Sequence, residues 1–173
     1  MSFVCHKGDK KPQKPADIRK VTILGVGNLL LKDEGIGIHV LDALKGAPFP
    51  SDVDLELIDG GTSPDVFHLL DGADKSIIID AVSGGGDPGT VYRFRADDVA
   101  AEDKPILSLH QMGLLEGLKM MAQMAGKPAD VVIIGVEPKE IGWGLELSSD
   151  VEQKIPQILE IVLQEIRGEV RKC

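Results

Sequence analysis

Four side chains that could carry acid–base or metal chemistry lie where predicted strands end or predicted helices begin. Asp33 and Glu34 stand where the loop after the first strand enters a helix, Asp80 ends the third strand, and His110 lies in the first turn of a later helix. In a parallel α/β sheet, ligands gather outside the carboxyl ends of the strands. Glu34, Asp80 and His110 could therefore face one crevice.

Two carboxylates and one imidazole suit a divalent first-row metal, with coordination positions left for water or substrate. A helix N-terminus disfavours imidazolium, which helps to keep His110 neutral and able to bind a metal. The alternative is structural: acids at 33 and 34 stabilise a helix start, and Asp80 caps a helix or accepts bonds from backbone amides. The residues alone leave the two interpretations of Asp80 about even.

The elements that must position these residues are short apolar runs alternating with helical patterns. The runs predict five strands, at residues 21–26, 55–58, 76–79, 90–95 and 131–136. The fourth alternates in character, as an antiparallel edge strand does. This order predicts an α/β fold: a single three-layer αβα domain with a mostly parallel five-stranded sheet and one antiparallel edge strand.

Helix signals fall between the strands. Residues 36, 40 and 44 have helical spacing, and Pro64 is expected to open a second helix. Two capping boxes, Ser108 with Gln111 and Ser149 with Glu152, are expected to begin two more. Pro156 predicts a kink in the last helix.

Composition narrows the class of protein. The chain has 173 residues and a net charge of −9, which argues against general nucleic-acid binding because phosphate backbones are repelled. Residues 1–20 are polar and rich in Lys and Pro, which predicts a mobile basic tail before a domain at 21–168. We expect no membrane span and no secretory signal. Cys5 and Cys173 are expected to be free thiols in a reducing cytoplasm.

The glycine turn after the first strand has a second interpretation. Gly25 and Gly27 could begin a dinucleotide-binding fingerprint, but the third glycine is replaced by Leu30 and no acid stands about 20 residues further on. Nucleotide binding is therefore a weak alternative, and a tight structural turn is the simpler explanation.

Taken together, six stretches resemble the hydrogenase maturation endopeptidases, which process the large subunits of nickel–iron hydrogenases. The resemblance covers residues 21–166 approximately and is carried by LGVGNLLLKDEGIG (24–37), DGGT (59–62), IIIDAV (77–82), PGT (88–90), LSLHQMGL (107–114) and IIGVEP (133–138). The combination is far more specific than any one stretch. The sequence departs from the family pattern in its basic tail, in the glycines at 84–86 and after Glu137.

The resemblance implies a cytoplasmic endopeptidase that removes a C-terminal extension from a nickel-loaded large-subunit precursor. Glu34, Asp80 and His110 would be the catalytic and metal-binding residues, and the nickel would be supplied by the substrate and serve as the recognition element. Other divalent metals could occupy the same site. The turn formed by Asp59, Gly60, Gly61 and Thr62 would line the substrate cleft, and the protein would act as a monomer.

A mechanism follows as a hypothesis. A metal would polarise the scissile carbonyl or lower the pKa of a bound water, and Glu34 or Asp80 would position or deprotonate that water. Which carboxylate does so stays open. The alternative of a different class is a non-enzymatic metal-binding module that assists assembly of the same precursor without cutting it.

Overall fold

The three central strands of the sheet are made almost entirely of buried residues. They are β1 (Arg19–Val26), β3 (Lys75–Ala81) and β5 (Val131–Val136). The computed structural model describes residues 18–63, 66–95 and 130–169. Strands covered on both faces read as continuous apolar runs, which is why these three were visible in the sequence.

Two less buried strands flank the central three. β2 (Val53–Gly61) lies beside β1, and β4 (Val91–Arg95) lies beside β5. The strand order is β2-β1-β3-β5-β4, parallel throughout except that β4 runs antiparallel to β5. The predicted α/β fold, with a mostly parallel five-stranded sheet and one antiparallel edge strand, is confirmed.

One face of the sheet is covered by α1 (Ile36–Leu44) and by α3 (Ile155–Arg167). Their buried aliphatic residues form one core cluster with inward-facing residues of the strands. On the other face, a 3-10 helix at Val66–Leu70 contributes to a second, smaller cluster. The helix predicted to begin at Ser108 lies outside the described residues. Within the described ranges, no helix has the length and apolar character needed to cross a membrane.

Several predicted boundaries were wrong. β1 begins at Arg19, inside the segment predicted as a tail, because Arg19 and Lys20 pair with Val53 and Asp54 of β2. The segment after Pro64 is described from Val66, where it forms a short 3-10 helix. Side-chain type alone underestimates the length of a strand whose ends are exposed, because backbone pairing continues into the exposed residues.

The predicted C-terminal helix is two helices. α2 (Ser149–Glu152) ends before Lys154, and Pro156 lies in the first turn of α3. Proline has no N–H to donate and is well tolerated in a first turn, so the helix restarts there rather than kinking. The predicted capping box was also wrong: the N-cap of α2 is Ser148, and its side chain makes no capping bond.

A cluster of charged side chains closes the amino end of the sheet. Lys75 contacts Asp130 at 2.9 Å and Glu165 at 2.6 Å, and Arg95 contacts Asp130 at 2.5 Å. Arg93 pairs with Glu165, whose side chain is 2% exposed. Burial raises the pKa of Asp130, but the hydrogen bond and charge of Lys75, together with Arg95, outweigh burial and lower it overall.

Candidate active site

The glycine turn after β1 is built to receive a short helix. Gly27 has φ +133°, and a Cβ placed on it would lie 1.8 Å from the carbonyl oxygen of Glu34. Only a residue without a side chain permits this approach. The turn therefore brings the 3-10 helix Lys32–Gly35, which carries both acids, directly against the end of β1.

The start of α1 also packs closely against the sheet. A Cβ on Gly37 would be 2.4 Å from the carbonyl oxygen of Val26 and 2.5 Å from that of Ile79. Val26 ends β1, and Ile79 directly precedes Asp80 in β3. The 3-10 helix that carries Glu34 runs directly into α1, so both are anchored at the carboxyl ends of the two strands, at the edge where Asp80 lies.

Asp33 is the structural member of the acidic pair. It is fully buried, and its carboxylate accepts hydrogen bonds from the backbone N–H groups of Lys139, Glu140 and Ser148, at 2.7 to 2.9 Å. The hydroxyl of Ser148 donates a fourth at 2.8 Å. Through these four bonds the Asp33 carboxylate holds the 139–148 loop in place. Asp33 therefore has a structural role, which leaves Glu34 as the candidate for chemistry.

Glu34 and Asp80 occupy different environments at this edge. Glu34 is half-buried, and its backbone N–H donates to the carbonyl of Leu31. Asp80 is 2% exposed, and one of its carboxylate oxygens accepts from the N–H of Ala81 at 2.8 Å. The backbone-amide interpretation of Asp80 is therefore correct for that oxygen, and it is compatible with a ligand role.

The third predicted ligand, His110, lies outside the described residues. Within the described ranges, no group of three or more His, Cys, Asp or Glu side chains is arranged to hold a metal ion. The predicted set of Glu34, Asp80 and His110 thus stays a prediction as a trio.

The predicted cleft residues extend β2 rather than forming a turn after it. Asp59, Gly60 and Gly61 belong to the strand, and Thr62 follows it on the surface. The Asp59 carboxylate accepts from the N–H of Gly61 at 2.9 Å, and the carbonyl of Gly61 accepts from the N–H of Gly27 at 2.9 Å. This end of β2 therefore borders the glycine turn that supports Glu34.

Sequence reasoning missed Glu137, which follows β5. One oxygen of its carboxylate accepts from Gly84 N–H at 2.7 Å, from Gly86 N–H at 3.3 Å and from the Tyr92 hydroxyl at 2.7 Å. These bonds shape the glycine loop that follows Asp80 and β3. Burial, reinforced by the hydrogen bond to Glu137, raises the pKa of Tyr92. The sequence signal that could have identified Glu137 is its position directly after the buried strand β5.

Two ion pairs connect the loop that Asp33 holds to the helices on either side of it. Lys32 contacts Glu140 at 2.5 Å, and Lys139 contacts Asp150 at 2.6 Å. The hydrogen bond to Glu140 and the negative charge of Glu140 raise the pKa of Lys32. The hydrogen bond to Asp150 and the negative charge of Asp150 likewise raise the pKa of Lys139. The hydrogen bond from Lys139 lowers the pKa of Asp150. At neutral pH these lysines are charged and already paired.

The fold and this edge define a class: a parallel α/β domain with carboxylates fixed at the carboxyl ends of adjacent strands. Residues 38–165 match the model of the hydrogenase maturation protease family, a range that includes Asp80 and begins after Glu34. The chain belongs to this family, whose members are peptidases.

Individual relatives agree with the family. The chain is 34% identical over 150 residues to the hydrogenase 2 maturation protease of Escherichia coli, covering 86% of this chain and 91% of that protein. It is also 34% identical over 150 residues to the hydrogenase expression/formation protein HupD of Thiocapsa roseopersicina, covering 84% of this chain and 66% of HupD.

A solved structure supports the same assignment. The hydrogenase maturating endopeptidase HybD from E. coli superposes with a TM-score of 0.76 at 33% identity, covering 87% of this chain and 93% of HybD. The relation thus extends over most of the fold.

Proposed function

We propose that this protein removes the C-terminal extension of a nickel-loaded large-subunit precursor of a nickel–iron hydrogenase. Family membership supports the peptidase activity. The observation that carries the assignment to this site is that the Glu34 helix packs on the turn after β1 and continues into α1, whose start packs on the ends of β1 and β3 next to Asp80.

The donor chemistry fits a first-row metal presented by the substrate. Carboxylate oxygens from Glu34 and Asp80, with an imidazole nitrogen from His110, form a mixed oxygen and nitrogen set that suits nickel or other divalent ions. The substrate's nickel would supply Lewis-acid polarisation of the scissile carbonyl. The site residues would complete the contacts around it, so that a precursor without nickel would be held poorly.

The two carboxylates differ in how they can act. Asp80 is almost fully buried and held by the Ala81 N–H, so we assign it a fixed orienting role. Glu34 is half-buried as a residue, and one of its carboxylate oxygens is shielded from bulk solvent. We assign it removal of a proton from the attacking water and delivery of that proton to the leaving amine. His110 would contribute the third contact to the substrate's metal.

The test uses mass spectrometry of the cognate precursor, nickel-loaded or nickel-free, before and after mixing with the protein. We expect loss of a C-terminal peptide only from the nickel-loaded form. The absence of any cleavage of a confirmed cognate precursor would favour the non-enzymatic assembly module instead. Cleavage of both forms would leave the peptidase but remove nickel as the recognition element.

Binding partners and location follow from the same proposal. The partner is the large-subunit precursor, with neither nucleic acid nor membrane required, and the protein is expected to work as a cytoplasmic monomer. The net charge of −9 supports the exclusion of nucleic acid, because the phosphate backbone would be repelled.

A further inference from the structure

Exposed apolar side chains are concentrated beside the candidate active site. In the part of the chain that the structure describes, six large apolar residues are exposed, and five of them lie on two neighbouring loops. We call these five the two-loop patch: Leu29, Leu30, Ile141, Trp143 and Leu145. Trp143 is 83% exposed, an unusual state for the largest apolar side chain.

Backbone hydrogen bonds join the two loops to each other. The carbonyl of Leu30 accepts from the N–H of Gly144 at 3.0 Å, and the carbonyl of Gly144 accepts from the N–H of Lys32 at 2.9 Å. The buried Asp33 carboxylate then fixes both flanks of the second loop through its four hydrogen bonds. A surface fixed in advance loses little conformational entropy on binding, which favours a role in recognition.

The patch adjoins the short helix Lys32–Gly35, which carries the candidate catalytic residue. Glu34 directly follows Asp33, and the N–H of Glu34 donates to the carbonyl of Leu31, the residue that bridges to Gly144. If a partner protein bound to the patch, the segment of the partner next to the bound surface would therefore lie at Glu34. Charge does not oppose this contact, because Lys32 and Lys139 offset Glu140 and Asp150 at its rim.

We propose that the two-loop patch is the docking surface for the folded body of the precursor, a partner that presents an apolar surface next to its C-terminal extension. This inference rests on the proposed function. The backbone groups of Leu30 and Gly144 are already bonded to each other, so side chains rather than an added peptide strand must make the contact.

The size of the patch favours this partner over a second copy of the chain. Stable interfaces take about 20–30 residues from each side, whereas the patch offers five large apolar side chains. A small contact suits a substrate that must leave after cleavage. Pairing of two copies through the patch would also cover the edge at Glu34.

The test compares Trp143→Ala with Ile18→Ala in steady-state cleavage of the nickel-loaded precursor. Ile18 is the matched control, because it is 63% exposed but precedes the opposite end of β1. Loss of a tryptophan anchor should raise KM at least about tenfold with kcat within about twofold. Trp143→Phe should recover part of the loss, and Ile18→Ala should match the parent protein.

An unchanged KM in Trp143→Ala, or a loss confined to kcat, would overturn the docking proposal while leaving the proposed function intact. A wild-type dimer in sedimentation that Trp143→Ala dissociates would also overturn it, by assigning the patch to a second copy. If the wild-type protein does not cleave the precursor, the proposed function fails. Direct binding of the precursor to wild-type and Trp143→Ala protein then decides the docking proposal separately.

Discussion

Asp33 and Ser148 lie 115 residues apart in the chain, yet the Asp33 carboxylate accepts hydrogen bonds from both the backbone N–H and the hydroxyl of Ser148. With the bonds from Lys139 and Glu140, this contact joins the helix that carries Glu34 to the loop that carries Trp143. One buried carboxylate thus connects the candidate catalytic residue to the proposed docking surface.

Replacement of Asp33 by Ala is expected to lower the free energy of unfolding by about 3 kcal/mol, because buried donors lose a charged acceptor. The measurement is urea unfolding followed by circular dichroism. Trp143 is the only tryptophan in the chain and is 83% exposed, so its fluorescence anisotropy, rather than its emission wavelength, reports on the ordering of the loop. We expect the anisotropy transition to occur at lower urea than the loss of helix.

Asp150→Ala is the control for this variant, since Asp150 is a 39%-exposed carboxylate near the same loop, paired with Lys139. Exposed ion pairs contribute about 0–1 kcal/mol. Equal destabilisation by the two substitutions would contradict the anchoring role of Asp33.

Gly27→Ala is expected to destabilise the protein by more than about 2 kcal/mol and to reduce cleavage. A methyl group there would collide with the Glu34 carbonyl, and φ +133° is already unfavourable for alanine. Thermal unfolding and kcat would be measured together. The expected loss of kcat reflects displacement of Glu34.

Substitutions at two other glycines distinguish the cost of a positive φ from the cost of a steric collision. Gly72 has φ +76° with open space around its Cβ position, and Gly46 has open space without a positive φ. Gly72→Ala should cost about 1–2 kcal/mol from φ alone, and Gly46→Ala should be near neutral. Full cleavage by Gly27→Ala would show that the turn does not position Glu34.

Asp130 predicts a defined response to acid. Its pKa is lowered in the folded state, because Lys75 and Arg95 outweigh the effect of burial. Its stabilising contribution is therefore complete above its unfolded pKa, about 4, and is lost as the pH falls through the lower folded value. The gap in unfolding free energy between wild type and Asp130→Asn should be larger at pH 6 than at pH 2.5. A constant gap would contradict the assignment.

The elements visible in the sequence were those with strong local patterns. The buried strands, the antiparallel edge strand and Asp80 at a strand end follow from apolar runs and alternation. The partners of Asp33 and the three donors to Glu137 depend on loops that meet only in the folded chain. Pro156 indicated that the last helix would be interrupted near this position. Whether the helix bends or ends and begins again depends on how each segment packs, which the sequence does not show.

We have proposed that Glu34 performs proton transfer in a peptidase site that recognises the nickel-loaded precursor. The most direct measurement is intact-mass analysis of that precursor after incubation with wild type, Glu34→Gln or Glu56→Gln. Glu56 is the control, a carboxylate on β2 that is 51% exposed. We predict that wild type and Glu56→Gln remove the C-terminal peptide, whereas Glu34→Gln is at least about 100-fold slower. Cleavage by Glu34→Gln at the wild-type rate would contradict the account.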